Sequence, residues 1–228
     1  MIIAKFVAVV IGGYLLGSIP FGVLVSKCWA RVDVRDYGSG RTGATNVMRV
    51  AGRKAAVIAC FLDLLKGLLA VLFAWLIFRL DYIVVGGSNV LWLARSAQVL
   101  AALAAIAGHK WPVFLKFKGG RGVATFFGGM AGLCLPAALF GGELLILSAF
   151  LTRYVSLGSI AGAIGAYAIL VPLTVISGFP VEYLVYALVG SIFIIVMHRD
   201  NIDRLLAGKE RKFGEKVKMG SSLPSTNP

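Results

Sequence analysis

The sequence predicts an all-α membrane protein with seven transmembrane helices, an extracytoplasmic N-terminus and a cytoplasmic C-terminus. Composition is the first reason: 59% of the residues are hydrophobic, 14% are charged and the mean hydropathy is +0.88, whereas soluble proteins contain about 25% charged residues. The second reason is the alternation of long apolar runs with short polar, glycine-rich stretches. The third is the uneven placement of lysine and arginine along the chain.

The apolar runs have the lengths expected of membrane-spanning helices, since a hydrocarbon core of about 30 Å needs about 20 apolar residues in an α-helix. The seven runs lie near residues 2–26, 55–78, 83–108, 122–134, 136–152, 155–177 and 182–198. The first run starts beside Met1 and continues without a small-residue cleavage motif. We therefore expect it to be a retained helix and not a cleaved signal peptide.

The basic residues predict the orientation. Stretch 27–54 holds seven lysines and arginines, stretch 110–121 holds four, and the tail 199–228 holds seven. Together with Arg153 these make 19 of the 23 basic residues, and seven crossings place all 19 on one face. Because positive residues concentrate on the cytoplasmic side, that face is predicted to be cytoplasmic.

The run 122–152 is predicted to contain two helices because Pro136 interrupts it. A helix over 122–134 rises about 20 Å at about 1.5 Å per residue, which is less than the hydrocarbon thickness of about 30 Å. We therefore expect some helices to be short or recessed, with the cytoplasmic start of this one below the membrane surface.

The first polar stretch, residues 38–47, has the composition of a phosphate-binding loop. Hydroxyl and amide groups give direction to phosphate oxygens, and guanidinium groups supply charge. The candidate ligands here are Ser39, Arg41, Thr45, Asn46 and Arg49. Thr45 and Arg49 are four residues apart and share one face if this part is helical. A capping loop whose arginines contact lipid headgroups fits the same residues.

The second stretch, residues 117–125, precedes the predicted short helix. Backbone N–H groups and the positive end of the dipole make a helix N-terminus suitable for an anion, and glycines allow a phosphate to approach the backbone closely. The candidate residues are Lys118, Gly119, Gly120, Arg121 and Gly122. A flexible interhelical turn is the alternative.

The third stretch, residues 197–202, carries His198 and Asn201 three residues apart at the cytoplasmic end of the last run. Histidine here can be a general base, an orienting group or a structural residue. His109 has the same alternatives. Asp63 and Lys66 lie one helical turn apart within a run, where they either neutralise each other or support the loops from beneath.

Composition also argues against several other classes of protein. Cys28, Cys60 and Cys134 have neither paired nor metal-ligand spacing, so we expect no disulfide framework, metal site or cofactor. In a soluble protein, 23 basic against 10 acidic residues would suggest a nucleic-acid partner. Here membrane topology accounts for most of the excess of basic residues, and we expect no nucleic-acid partner.

Several ordered motifs together resemble one known family. They are Leu16-Gly-Ser-Ile-Pro-Phe-Gly22, Gly38-Ser-Gly40 with Gly43-Ala-Thr-Asn-Val47, Phe61-Leu-Asp-Leu-Leu-Lys-Gly67, Gly108-His109 with Pro112-Val-Phe114, Phe117-Lys-Gly-Gly120 with Gly122-Val-Ala-Thr125, and His198-Arg199 with Asn201-Ile202 and Arg204-Leu-Leu206. Over about residues 8–213 the chain resembles the PlsY-type bacterial glycerol-3-phosphate acyltransferases, which use acyl phosphate as donor. The resemblance implies seven spans and an extracytoplasmic N-terminus.

The resemblance also implies a reaction, a location and partners. A long-chain acyl group moves from acyl phosphate to the primary hydroxyl of glycerol 3-phosphate, giving 1-acyl-glycerol 3-phosphate (lysophosphatidate) and phosphate, as the first step of phospholipid synthesis. The implied location is the bacterial cytoplasmic (inner) membrane, with the active site facing the cytoplasm. The expected partners are the two substrates and membrane lipids, without a cofactor.

The expected site residues follow from the matching motifs. Ser39, His198 and Asn201 are the expected catalytic residues. The expected substrate-binding residues are Arg41, Thr45, Asn46, Arg49, Lys118, Gly119, Gly120, Arg121 and Gly122. The chain departs from the family pattern in two places: Arg41-Thr42 replaces Asn-Pro or similar, and Arg121 replaces a second lysine. Arginine keeps the charge but presents a planar fork in place of a compact ammonium. His198 and the substrate's own phosphate are both candidates for the general base.

Two other functions match parts of this pattern. His198 and Asp203 have the H-x₄-D spacing of acyltransferases that use acyl-CoA or acyl carrier protein, but those carry the motif on a soluble domain that has no counterpart here. An organophosphate transporter would need binding groups reachable from both sides, usually on paired repeats, and no duplicated halves are evident. We expect one membrane domain over 1–213 and a disordered tail over 214–228.

Overall fold

A computed structural model describes residues 2–85 and 88–214, with the backbone alone described for residues 80–85 and 88–90. Within those ranges the chain forms nine α-helices, two short 3-10 turns (Val34–Asp36 and Val113–Leu115) and no β-strand, which confirms the all-α class. The helices are α1 Ile2–Ser18, α2 Phe21–Ala30, α3 Ala44–Val85, α4 Ser88–Lys110, α5 Val123–Leu133, α6 Leu135–Thr152, α7 Val155–Ser177, α8 Val181–Met197 and α9 Arg199–Leu206. Apart from Gly214, the predicted disordered tail lies outside the described residues.

Five helical segments among the described residues are long and apolar enough to cross a membrane, and a sixth qualifies if α8 and α9 form one bent span. Helix α5 is apolar but has only 11 residues, so it rises about 16 Å. The two helices predicted in run 122–152 are therefore present as α5 and α6. The helix is interrupted at Cys134, which has an extended backbone. Pro136 lies in the first turn of α6, where the N–H that proline lacks would have no partner within the helix.

The sequence suggests one continuous helix over the first apolar run, but the structure divides this run into two helices. Helix α1 ends at Ser18 and α2 begins at Phe21. Pro20 lacks an N–H and disfavours helical geometry in the preceding residue. The carbonyl of Ile19 at this break accepts a hydrogen bond from Lys66 Nζ of α3 at 3.1 Å. The break therefore faces the bundle interior.

Helix α3 begins about ten residues before the predicted apolar run. It starts at Ala44 and bends at Gly52, whose φ of 85° and ψ of 178° are non-helical. A positive φ of this kind is readily available only to glycine. Thr45 and Arg49 consequently lie on a short helical segment that ends the first polar stretch, on one helical face as expected.

Close helix packing holds the loops in place. Helix α1 packs on α4, and α3 packs on both α4 and α5. A Cβ at Gly128 of α5 would overlap the carbonyl oxygen of Leu64 in α3, so these backbones approach too closely for a side chain. On the other side of α5, the Phe126 ring stacks on Tyr186 of α8 at 5.5 Å, and the Tyr186 hydroxyl donates to the Phe126 carbonyl at 2.8 Å. These contacts fix the N-terminal half of α5 between α3 and α8.

Candidate active site

Asn46 organises the first loop from within. The side chain is 2% exposed, and its Nδ2 donates to the carbonyls of Val34, Tyr37 and Arg41 at 2.9, 3.0 and 2.9 Å. Its Oδ1 accepts from the backbone N–H of Ser39 at 3.0 Å. We expected Asn46 to bind substrate, but both N–H groups of its amide are already occupied by the loop. These contacts stabilise the loop, and substrate binding by Asn46 stays a prediction.

A charged pair fixes the entry to this loop. Asp33 caps the 3-10 turn by accepting from the Arg35 backbone N–H at 3.0 Å, and its carboxylate also accepts from the Arg35 guanidinium at 2.8 Å. That side-chain hydrogen bond is the main cause that lowers the pKa of Asp33 to about 2. The acid is therefore ionised at neutral pH and holds the turn.

The glycine loop is attached to the end of α4. The Gly119 N–H donates to the Lys110 carbonyl and the Gly120 N–H to the His109 carbonyl, both at 3.1 Å. The last carbonyls of a helix lack hydrogen-bond partners within the helix, and here the loop provides those partners. Gly122 then adopts a φ of 81° just before α5, and no side chain caps that helix. The first N–H groups of α5 are left for another acceptor, as an anion site requires.

Arg121 is a cation that is partly withdrawn from water. Its Nε is buried and has no hydrogen-bond partner among the described residues. Burial, followed by the repulsion of Arg41, lowers the pKa of Arg121 to about 10, while Glu210 and Asp200 partly offset these effects. It remains protonated at neutral pH. A guanidinium in this condition is suited to an anionic ligand.

His198 lies at the bend between α8 and α9 and is 2% exposed. Its Nδ1 is 2.8 Å from the Ile194 carbonyl oxygen. A carbonyl only accepts, so Nδ1 carries the proton in the neutral ring and Nε2 presents a lone pair. Burial and then the nearby charge of Arg121 lower the pKa of His198 to about 4. The imidazole is therefore neutral at pH 7.

Glu210, which sequence reasoning missed, folds the segment after α9 back onto the site. Its carboxylate accepts from Asn201 Nδ2 at 2.5 Å, from Arg204 Nε at 2.8 Å and from Ser156 Oγ at 2.9 Å. Burial raises the pKa of Glu210, but these hydrogen bonds outweigh it and the pKa is lowered. Asn201 Oδ1 stays buried without a hydrogen-bond partner among the described residues. Glu210 is one of four acidic residues in the basic tail 199–228, and no periodic pattern in the sequence distinguishes it.

The three polar stretches meet in space. Arg41 of the first loop forms an ion pair with Asp200 of α9 at 2.6 Å, across 159 positions of sequence. Arg121 of the glycine loop lies within electrostatic range of both Arg41 and His198. The structure therefore gathers cations from two loops beside a neutral histidine and a buried amide oxygen.

The remaining predicted residues lie around this cluster. Ser39 and Lys118 are exposed and Thr45 is half-buried. Their side chains form no hydrogen bond or ion pair with another described residue, so their donors are available to a ligand. Arg49 follows Thr45 by one turn of α3.

Among the described residues, no three His, Cys, Asp or Glu side chains are grouped as metal ligands.

Comparisons with known proteins agree on one family. The family model described as glycerol-3-phosphate acyltransferase matches residues 7–208. "Glycerol-3-phosphate acyltransferase 3" of Dehalococcoides mccartyi is 62% identical over 216 residues, which cover 95% of this chain and 99% of that protein. The glycerol-3-phosphate acyltransferase of Parasynechococcus marenigrum is 46% identical over 207 residues, covering 90% of this chain and 88% of that one.

Solved structures give the same result. The crystal structure of PlsY, an integral membrane glycerol 3-phosphate acyltransferase, in its glycerol 3-phosphate form superposes with a TM-score of 0.77 at 40% identity, covering 92% of this chain and 96% of that chain. Its lysophosphatidic acid form gives a TM-score of 0.75 at 39% identity, with 92% and 95% coverage.

We expect His198 to stay neutral at pH values well below those at which histidine ordinarily titrates, because burial and Arg121 disfavour the imidazolium. The chain has only two histidines, so ¹⁵N-histidine NMR of the protein in detergent resolves them, and the spectrum of His198→Gln assigns the signals. The ring should show the Nδ1–H tautomer at pH 7 and titrate at about pH 4. A midpoint near the unperturbed value of about 6.5 would contradict this geometry.

Proposed function

This chain belongs to the glycerol-3-phosphate acyltransferase family, and on that basis we propose that it moves a long-chain acyl group from acyl phosphate to the primary hydroxyl of glycerol 3-phosphate. The products are lysophosphatidate and phosphate. The observation that carries the proposal is the meeting of Arg41, Arg121 and a neutral His198 where three loops join apolar helices. The glycerol 3-phosphate and lysophosphatidic acid forms of the PlsY crystal structure support the acceptor and the product.

The chemistry asks for positioning more than for a nucleophilic side chain. The primary hydroxyl oxygen attacks the acyl carbonyl carbon, the bond from that carbon to the phosphate oxygen breaks, and phosphate leaves with the electron pair. Phosphate is already a good leaving group, so the protein contributes mainly by holding two mutually repelling anions together and stabilising the oxyanion. In this mechanism Arg49, Lys118 and Arg121 neutralise phosphates. Ser39, Thr45 and Asn201 orient them.

The depressed pKa of His198 bears on the path of the proton. A base with a pKa of about 4 is weaker than a phosphate monoester, whose second pKa is about 6. Catalysis by a base is most effective when its pKa lies near the working pH. We therefore assign the proton of the primary hydroxyl to a substrate phosphate. His198 Nε2 accepts a hydrogen bond from the secondary hydroxyl and orients the glycerol.

We further propose one domain over residues 1–213 that crosses the bacterial inner membrane seven times with its site facing the cytoplasm. The crossings are α1–α2 together, α3 beyond Gly52, and α4, α5, α6, α7 and α8. Support comes from the apolar helices of this multi-pass membrane protein and from the basic residues, of which seven crossings would place 19 of 23 on one face. Membrane lipids surround the outward apolar side chains, such as Ile176, which is 81% exposed.

The reaction is tested by incubating the purified protein with acyl phosphate and glycerol 3-phosphate. We expect phosphate release and lysophosphatidate in equal amounts, and no product when acyl-CoA replaces acyl phosphate. Arg121→Gln serves as the matched variant and should lose most of this turnover. Use of acyl-CoA while acyl phosphate is ignored would contradict the donor. Vesicles that accumulate glycerol 3-phosphate without lysophosphatidate would indicate a transporter.

The role of His198 is tested with two substitutions. The amide of His198→Gln can still donate to the Ile194 carbonyl and accept from a hydroxyl, so kcat should stay within about tenfold of wild type. His198→Ala loses this contact, and the misplaced acceptor should cost about 10²-fold. Equal losses of about 10²–10⁴-fold in both variants would instead identify the histidine as the general base.

The topology is tested by labelling single cysteines on intact cells with a membrane-impermeant maleimide. Cys28 at the end of α2 is exposed on the proposed cytoplasmic side and should react only after cells are opened. Ser177→Cys, at the other end of the bundle, should react on intact cells. Both proteins carry alanine at the other native cysteines. The reverse labelling pattern would overturn the orientation.

A further inference from the structure

Three ionisable side chains are buried directly beneath the loops and have no part in the proposed mechanism. Asp63 and Lys66 of α3 are each 2% exposed, and His109 at the end of α4 is 6% exposed. Asp63 Oδ1 lies 2.8 Å from Lys66 Nζ and 3.5 Å from His109 Nδ1. Neither contact satisfies Asp63 Oδ1 as a well-aligned hydrogen bond would, so charge is the main attraction between Asp63 and Lys66. Buried ions are costly to desolvate, and stability alone is a weak reason to have them.

This cluster joins three segments of the bundle. Asp63 and Lys66 belong to α3, and His109 belongs to α4. Lys66 Nζ also donates to the Ile19 carbonyl, 3.1 Å away at the break between α1 and α2. That carbonyl lies at the break before Pro20, where it also accepts from the Phe21 backbone N–H at 3.1 Å. The cluster therefore ties the α1–α2 break, α3 and α4 together under the polar loops.

The cluster reaches the glycine loop through His109. The His109 carbonyl accepts the Gly120 N–H at 3.1 Å. Gly120 also packs directly against the imidazole, because a Cβ at that position would lie 2.1 Å from His109 Nε2. A Cβ at Gly119 would likewise fall on the His109 carbonyl oxygen. The position of His109 therefore determines where the backbone of these two glycines can run, and Arg121 follows immediately.

We propose that Asp63, Lys66 and His109 form a positioning network that sets the conformation of the glycine loop, residues 118–122, for phosphate binding. The inference rests on the proposed function in one respect, namely that this loop binds a substrate phosphate. The Asp63 carboxylate faces the imidazole Nδ1 at 3.5 Å, and the imidazole supports Gly120. A displacement of about 1 Å at a substrate-holding group costs about 10²-fold in rate, so a small shift of this ring is enough to lower catalysis.

The first test removes both charges together. Asp63→Asn or Lys66→Met alone leaves an unpaired buried charge, which strongly destabilises a protein, whereas replacing both partners is often neutral. We expect the double variant Asp63→Asn/Lys66→Met to keep its unfolding temperature, while kcat/KM for glycerol 3-phosphate falls about 10²-fold through a higher KM. If the double variant keeps wild-type kcat/KM, the network does not position the loop and the proposal is overturned.

The second test asks whether Gly120 and His109 act on each other. Gly120→Ala and His109→Ala should each lower kcat/KM by about 10²-fold. Their double variant should be no worse than the poorer single variant, because groups in contact show non-additive effects. Losses that multiply to about 10⁴-fold would show that the two residues act independently, and would overturn the inference.

Ser191→Ala is the matched structural control. Ser191 Oγ donates to the Ala163 carbonyl at 2.8 Å and joins α8 to α7 through an equally buried contact. This variant should lower the unfolding temperature and leave KM unchanged. An equal rise in its KM would show that any packing defect disturbs the loop, which contradicts a specific network.

A binding measurement separates this inference from the proposed reaction. Glycerol 3-phosphate should raise the unfolding temperature of the wild type and of Ser191→Ala, but not of Gly120→Ala or Asp63→Asn/Lys66→Met. If the wild type makes no lysophosphatidate and this pattern holds, the reaction is wrong and the network stands. If glycerol 3-phosphate raises the unfolding temperature of all four proteins, the network is overturned. If it raises the unfolding temperature of none of them, both the network and phosphate binding at the loop are overturned.

Discussion

Positive charge that is partly withdrawn from water is the constraint on which the rest of this molecule depends. Arg41 is paired with Asp200 and Arg204 with Glu210, whereas Arg121 has no carboxylate within 4 Å among the described residues. Charges interact more strongly at a water-poor site than in bulk solvent. The same field that attracts a phosphate also pushes the loops apart. Attachments elsewhere must therefore hold those loops together while the site is empty.

Backbone groups provide most of those attachments. Asn46 binds the carbonyls of its own loop, and the last carbonyls of α4 are occupied by Gly119 and Gly120. These contacts use groups that would otherwise lack partners at loop turns and helix ends. Side-chain donors such as Ser39 and Thr45 are consequently not consumed by folding. Close glycine contacts, such as Gly128 against α3, bring the start of α5 to the same place.

His198, the histidine beside Arg121, stays neutral because of its burial and of this same positive charge. An imidazolium beside Arg121 would add to the repulsion, so burial and neighbouring charge together keep His198 uncharged. Its Nδ1 proton is committed to the Ile194 carbonyl, which fixes the orientation of Nε2. In the proposed mechanism such a site holds and orients substrates without any further charge change of its own. That suits acyl transfer from a donor whose leaving group is already activated.

The sequence alone determined the all-α class, the split of run 122–152, the three polar stretches and, through its motifs, the family. Those properties depend on composition, on proline and on short-range order, all of which can be read along the chain. Only the tertiary structure decided that the first run breaks toward Lys66, that Asn46 turns inward, that Arg41 meets Asp200 and that Glu210 closes over Asn201. Such contacts depend on how helices rotate and approach one another. Hydrophobic periodicity specifies which face is apolar, but it carries no information on which distant polar groups that packing brings within hydrogen-bond distance.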